Sequence, residues 1–357
     1  MKKSVVDMHC DTISALLQIR RKEAHSSAGD SKGSGLGKEK EEALSDVGLA
    51  KNSLHIDLNK MKKGGWLLQN FALFVAISEC EDPFREYTCL ADLYYEELEK
   101  NKDRIRPVYR YEDIEKNMAE GKISAMLTVE EGAVCKGNPG KLRMLYRMGV
   151  RMLTLTWNFP NELGWPNVRM PEKGSDTVPD FTTPDREHGL TETGFAFLEE
   201  MQRLGMIIDV SHLSDAGFWD VVHTVKKPFV ASHSNARAVC NHIRNLDDDM
   251  IRALAQKGGV TGLNFCPSFL EEEKRGNRAV GSLASIAAHA KHIVNVGGED
   301  CLGLGSDFDG IPVNEALPNA SYLPLLAEEL EKAGFTGRQI DKIFSENVLR
   351  VYREILG

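Results

Sequence analysis

Residues 7–12 read DMHCDT, and two of them, His9 and Asp11, follow directly on the apolar pair Val5-Val6. Two positions apart in an extended chain, their side chains lie on the same side. A histidine and a carboxylate so placed can hold a metal ion. Similar placements, at or just past a short apolar run, recur at Glu130, His212, His233 and Asp307. Each alone is an ordinary strand-end residue; six together form a constellation. Three imidazoles and two carboxylates make up the N/O ligand set of zinc and similar divalent ions. Five ligands exceed one closed tetrahedral site and fall short of two. They suit two metals sharing a bridging carboxylate and a bridging water, an arrangement with ions about 3.5–4 Å apart that lowers the water's pKa and polarises a scissile carbonyl. Asp307 would then be the group that shuttles a proton. Glu131 stands beside Glu130, and since adjacent strand residues point oppositely, one of the two faces the site.

These residues need a frame that brings positions some 300 apart into one space. Eight short apolar runs supply it: 4–9, 69–77, 124–130, 151–157, 206–212, 228–233, 259–265 and 301–307. Between them lie amphipathic stretches such as Leu90–Leu98, Lys141–Met148, Glu192–Leu204, Phe218–Val225, Met250–Gln256 and Ile286–Val296. Continuous apolar strands alternating with helices indicate an α/β fold with a parallel sheet covered on both faces. Eight units is the count of a (β/α)8 TIM-type barrel, whose strand C-termini converge on one face. The competing doubly wound sheet lacks a GxGxxG after any early strand. Other histidines fall elsewhere. His55 and Asp57 repeat the His-x-Asp spacing but follow a polar segment, and His223, His289 and His292 lie within helix-like stretches.

Bulk properties exclude several classes. With 357 residues, 42% of them hydrophobic and 27% charged, the chain has room for one large barrel and is expected to form a single domain over 1–357. A net charge of -9 without a basic block argues against nucleic acid. No run approaches the roughly 20 apolar residues of a membrane span, and the start lacks a signal-length apolar stretch, so no membrane association is expected. Seven scattered cysteines without a CxxC pair point to reduced thiols in a cytoplasm. Ser26–Gly48, polar and rich in Gly, Ser, Lys and Glu, reads as a flexible insertion.

The segments DMHCDT (7–12), VEEGAV (129–134), LRMLYRMGVRMLTLTWN (142–158), DVSHLS (209–214), ASHSNARAVCNHIRN (231–245) and GLGSDFDG (303–310) together resemble the membrane (renal) dipeptidases and their bacterial relatives, a branch of the amidohydrolase-like metal-dependent barrels. The likeness runs to the closing IDKIFSENVLRVYREIL (340–356). It implies two Zn2+ or similar divalent ions per chain, His9 and Asp11 on one, His212 and His233 on the other, with Glu130 bridging. Counting back from Tyr146 and the LTLT run favours Glu130 over Glu131. The resemblance makes Arg244 the partner of a substrate's terminal carboxylate and Asp307 the catalytic acid/base. It also marks a departure: the animal enzymes carry a histidine directly after LTLT, where this chain has Trp157. An indole has only an N–H donor and cannot titrate. The lipid anchor of animal homologues is not expected.

The reading is a cytoplasmic zinc dipeptidase. A metal-bridging hydroxide would attack the scissile carbonyl of a dipeptide, including one with a C-terminal D-residue. Its rivals are another activity on the same scaffold, such as an N-acyl-D-amino acid deacylase or a lactonase, and a catalytically silent binding barrel. Relatives are often dimers, which makes a homodimer an option.

Overall fold

The apolar runs are strands because they are buried on both faces, against barrel interior and helices alike. In the computed structural model, which describes residues 3–29, 47–168, 170, 179–272 and 279–357 (side chains of 24–29 excepted), they are β1 Val5–Asp7, β2 Trp66–Phe74, β4 Ile123–Glu130, β5 Val150–Thr154, β6 Ile207–Asp209, β7 Val230–Ala231, β8 Val260–Leu263 and β9 Leu302–Leu304. A further strand, β3 Ile105–Pro107, pairs with the first residues of β4. All pairings are parallel. The order β1-β2-β4-β5-β6-β7-β8-β9 closes where β9 meets β1 through Asp7 and Leu304. The expected (β/α)8 barrel is therefore present, with β3 appended at the bottom of β4.

The seam of β2 and β4 is the longest, running in register from Leu68 opposite Ser124 to Phe74 opposite Glu130. It carries Phe74 and Glu130 together to the same end of the barrel. Below that end, Val6, Leu68, Met126, Met152, Ile207, Val230 and Val260 form one apolar layer. Val348, Val351 and Tyr352 of the last helix, Asn347–Leu356, pack into the same layer. Gly303 of β9 supplies no side chain there for a steric reason: a Cβ would lie 2.6 Å from Val348. Each buried aliphatic side chain contributes about 1.5–3 kcal/mol, so the helix plugs the barrel bottom and leaves the top to polar residues.

Helices begin close behind the strand ends. Ser214, two residues past His212, caps the helix Asp215–Thr224 by accepting the Gly217 N–H and donates to the His188 carbonyl. Such a cap is worth about 1 kcal/mol, and here it also pins the loop that carries His212. Of the expected insertion Ser26–Gly48, residues 26–29 continue the first helix, Thr12–Gly29, and 30–46 lie outside the described residues. Among the described residues, no helix is long and apolar enough to cross a membrane.

Candidate active site

Every one of the six strand-end residues arrives at the same end of the barrel. Glu130 is the last residue of β4; His9, His212, His233 and Asp307 follow β1, β6, β7 and β9 by two or three residues. Asp11 precedes the first helix, with its N–H on the Phe308 carbonyl. His212 and Asp307 sit in the left-handed backbone region, φ 71° and 61°. That turn is uncommon for non-glycine residues, and here it bends each chain out of its strand.

Glu130 is at the centre. Its Oε2 is 3.4 Å from His9 Nε2, and its Oε1 is 3.0 Å from His212 Nε2 and 3.6 Å from His233 Nε2. Asp11 Oδ2 lies 3.4 Å from the same His9 nitrogen, whereas Asp307 Oδ1 is 4.0 Å away. Two groups of ligand-type atoms result, His9–Asp11–Glu130 and Glu130–His212–His233, with Glu130 common to both. A third grouping, His9–Asp209–His233, has no ligand to spare, because both Asp209 oxygens already accept hydrogen bonds from neighbouring N–H and O–H groups.

The donor set fits divalent cations on its own chemistry. His212 Nδ1 pairs with Asn158 Oδ1 at 2.8 Å and His233 Nδ1 with Ser232 Oγ at 2.7 Å. If those nitrogens carry the protons, the two Nε2 lone pairs face each other at 3.0 Å beside a carboxylate oxygen. Among the described residues, both ring nitrogens of His9 and Oδ1 of Asp11 are buried without a hydrogen-bond partner. Unpaired polar atoms at such a depth are costly, and a metal ion would take up the bare His9 nitrogen and the Asp11 oxygen.

Electrostatics sort the carboxylates. Burial pushes Glu130 up, yet the close imidazoles, His9 first and then His212, hold it well below the usual carboxylate range. Burial pushes Asp307 up to about 7, His9 opposing and the Asp11 and Glu130 charges adding. Asn264 donates to its Oδ2 at 2.9 Å. A carboxyl near neutrality is suited to proton transfer. Burial also brings Glu131 to about 7, but with its backbone at φ 102° this side chain turns to other work. It accepts the N–H groups of Ala133 and Trp157 and the amide of Asn161, tying the turn after β4 to the loop after β5.

The cluster opens into a cavity of about 350 Å³ lined by Glu130, His212, Asp307, Trp157, Arg244 and Phe269, among others. Arg244 is 4% exposed, its guanidinium 5.5 Å from the Phe269 ring centre, with Nε and Nη2 unpartnered among the described residues. Its backbone N–H is accepted by His242 Nδ1. The loop beneath it is clamped by Arg237, which makes paired bonds to Asp215 and a third to the Asn245 carbonyl. Trp157 is half-buried, its ring 4.8 Å from Phe74 and 6.2 Å from His212. It forms an aromatic wall of the cavity.

Gly310 closes the site from the β9 side. A Cβ there would stand 2.2 Å from Asp11 Oδ2 and 2.7 Å from Asp307 Oδ1. Gly310→Ala is expected to force these carboxylates apart and to lower kcat/KM about 10²-fold, the usual cost of misplacing reacting groups by an ångström. Steady-state kinetics on the variant, with its melting temperature unchanged, checks this.

Asp57, His289 and His292 stay apart from the cluster. Asp57 caps the helix Leu58–Gly64, His289 bonds to the Ala236 N–H and the Leu270 carbonyl, and His292 pairs with Asp248. His55 has a supporting part: its Nδ1 accepts the Asp309 N–H and its own N–H reaches the Asp309 carboxylate, fixing the loop behind Asp307. Asn158, Asn264, Ser232 and Asp209 were not singled out in the sequence, although Asn264 also follows an apolar strand directly.

Comparison with known proteins gives the family. The profile of membrane dipeptidase, peptidase family M19, matches residues 1–356. The chain is 37% identical over 253 residues to an uncharacterized protein in the pqqA 5′ region of Klebsiella pneumoniae, covering 71% of this chain and 89% of that one. It is 31% identical over 316 residues to an uncharacterized dipeptidase of Schizosaccharomyces pombe, covering 84% and 72%. Among solved structures, the M19 metallopeptidase dipeptidase AC superposes with a TM-score of 0.83 at 26% identity over 100% of both chains. A metallopeptidase from Rhodobacter sphaeroides, liganded with a phosphinate mimic of the dipeptide L-Ala-D-Ala, superposes with 0.82 at 25% identity over 99% of this chain and 100% of that one. With the match spanning the barrel from first strand to last helix, the chain belongs to the membrane dipeptidase family, peptidase family M19.

Proposed function

We propose that this metallodipeptidase works with two zinc or similar divalent ions, His9 and Asp11 holding one, His212 and His233 the other, and Glu130 both. When bound, such ions supply Lewis-acid polarisation of the scissile carbonyl and an activated water. The chain's own residues do the rest. Arg244 binds the substrate's terminal carboxylate, and Asp307 takes a proton from the attacking water and delivers it to the departing amine. Asn264 holds one oxygen of Asp307 and so orients the other. Trp157 and Phe74 wall off the cavity and exclude water. The observation that carries this reading is Arg244, a buried guanidinium with unpartnered N–H groups in the same cavity as the His/Glu/Asp cluster. An anion is what such a group lacks, and a carboxylate pairs with it in two parallel bonds.

With Arg244 and the ligand cluster in one cavity, a substrate held by its terminal carboxylate at Arg244 would extend one residue beyond the cleaved bond. Dipeptides are the substrates, L-Xaa-D-Xaa included, as the phosphinate mimic bound by the Rhodobacter sphaeroides relative suggests. The cysteines, all free and five of them buried, suit a cytoplasmic enzyme. Arg244→Ala is expected to raise KM for free-acid dipeptides, at a cost of about 2–4 kcal/mol, or roughly 30- to 10³-fold in kcat/KM. C-terminal amides should be poor substrates for both proteins. Assays of L,L and L,D dipeptides beside their amides decide; amides cleaved as fast as acids would indicate an amidohydrolase of another kind.

A further inference from the structure

Directly beneath the site, two strands are stitched by a buried carboxylate that the mechanism above does not use. Asp209, the last residue of β6, is 0% exposed and accepts four hydrogen bonds. Its Oδ1 takes the N–H groups of Ser211 at 3.0 Å and Ser232 at 2.8 Å. Its Oδ2 takes the hydroxyls of Thr154 at 2.7 Å and Ser232 at 2.6 Å. Ser232 immediately precedes His233, and its Oγ lies 2.7 Å from His233 Nδ1. We propose that Asp209, acting through Ser232, fixes the tautomer of His233 and thereby sets the metal affinity of the His212–His233 position. This inference rests on the metal-site reading given above.

The direction of the chain follows from what each group can do. With two backbone N–H groups on Oδ1, Asp209 offers Oδ2 as an acceptor, and the Ser232 hydroxyl donates to it. The Ser232 oxygen is then left with lone pairs towards His233, and Nδ1 of His233 must be the N–H. Nε2 is thereby kept bare, facing His212 Nε2 at 3.0 Å and Glu130 Oε1 at 3.6 Å. The other two imidazoles are held differently. His212 Nδ1 meets a neutral amide, Asn158, and His9 Nδ1 has no partner. Of the three Nδ1 atoms, only that of His233 is linked, among the described residues, through a hydroxyl to a buried carboxyl group. Hydrogen-bonded partners of this kind fix ring orientation and raise ligand basicity. Asp209 and Ser232 are thus positioning residues.

Asp209→Asn is nearly isosteric but reverses the chain. The amide oxygen keeps the two backbone N–H groups, which places the NH2 against Ser232. That NH2 donates to Ser232 Oγ, and the hydroxyl turns to the nearer of its two remaining neighbours, His233 Nδ1 at 2.7 Å and not Ser211 Oγ at 3.3 Å, so that Nδ1 now accepts. The proton moves to Nε2, the nitrogen meant for the metal. Ser232→Ala breaks the link without reversing it. Thr154→Val removes a donor from the same oxygen of Asp209 and leaves the link to His233 intact.

The test is a Zn2+ titration of the full-length metal-free chain against a chromophoric chelator, beside 15N spectra of histidine-labelled metal-free protein. For Asp209→Asn the expected results are a fall of about 10–100-fold in the affinity of one of two sites and a His233 spectrum changed from the Nδ1–H to the Nε2–H form. Ser232→Ala should lose less affinity, and Thr154→Val should stay near wild type in both readouts. Should Asp209→Asn not fold, Ser232→Ala decides alone, and wild-type affinity in it overturns the inference. So does Asp209→Asn with unchanged affinity and tautomer, or Thr154→Val weakened as much as Asp209→Asn. Wild-type protein that binds no zinc would overturn the metal-site reading itself; wild type that binds two ions while the variants do so equally well overturns the relay alone.

Discussion

Glu130→Gln is expected to leave less than one tightly held metal ion per chain and to cut turnover at least about 10³-fold, the equivalent of some 4 kcal/mol of metal-assisted stabilisation. The reason is position. One oxygen of Glu130 stands beside His9 and the other beside His212 and His233. Glutamine retains one acceptor and replaces the other with an NH2 that cannot ligate, so one group loses a ligand and both lose a charge. Glu131→Gln is the matched comparison one residue away. Its side chain receives the N–H groups of Ala133 and Trp157 and the Asn161 amide, and these are all structural. That variant should keep its metal and lose only the 1–3 kcal/mol typical of a disturbed buried hydrogen bond. Metal analysis after dialysis, with kcat and melting temperature on both variants, is the measurement. Metal loss in Glu131→Gln with retention in Glu130→Gln would exchange their roles.

What the sequence made legible follows from which signals are local. The eight barrel strands were readable because burial on both faces demands unbroken apolar runs, and such runs stand out. β3 was not, since Ile105–Pro107 has a single buried apolar residue, an arginine and a proline. The six strand-end residues were readable because histidine and carboxylate at the end of an apolar run are conspicuous, and the barrel gives all such ends one destination. The groups that aim them were not. Asn158, Asn264, Ser232 and Asp209 act through hydrogen bonds between strands distant in sequence, and serine or asparagine after a strand signals nothing by itself. Arg244 came from resemblance alone. Its burial depends on a loop folded back by the Arg237–Asp215 pair, which no local pattern records. The polar composition of Ser26–Gly48 suggested a loop from Ser26, whereas the first helix carries on to Gly29. His55 lies outside the ligand cluster, as its place after a polar segment implies, but it braces Asp309 and hence the loop of Asp307.

Asp307→Asn should separate proton transfer from metal binding. Asp307 Oδ1 lies 4.0 Å from His9 Nε2, beyond the 3.4 Å at which Asp11 and Glu130 approach that nitrogen. Its carboxyl is pushed up to about 7 by burial and by the neighbouring carboxylates, against the pull of His9. Asparagine tolerates the left-handed backbone at φ 61° as well as aspartate does. Its amide oxygen can still accept from Asn264, so the loop, the cavity and Arg244 are left in place. Only the capacity to take and return a proton is removed. The variant should bind the same number of metal ions as wild type, keep its KM for dipeptides within a few-fold, and lose about 10²–10⁴ in kcat. Kinetics paired with metal content distinguishes the alternatives. A near-normal kcat would move proton transfer to another group, and a loss of metal would place Asp307 among the ligands.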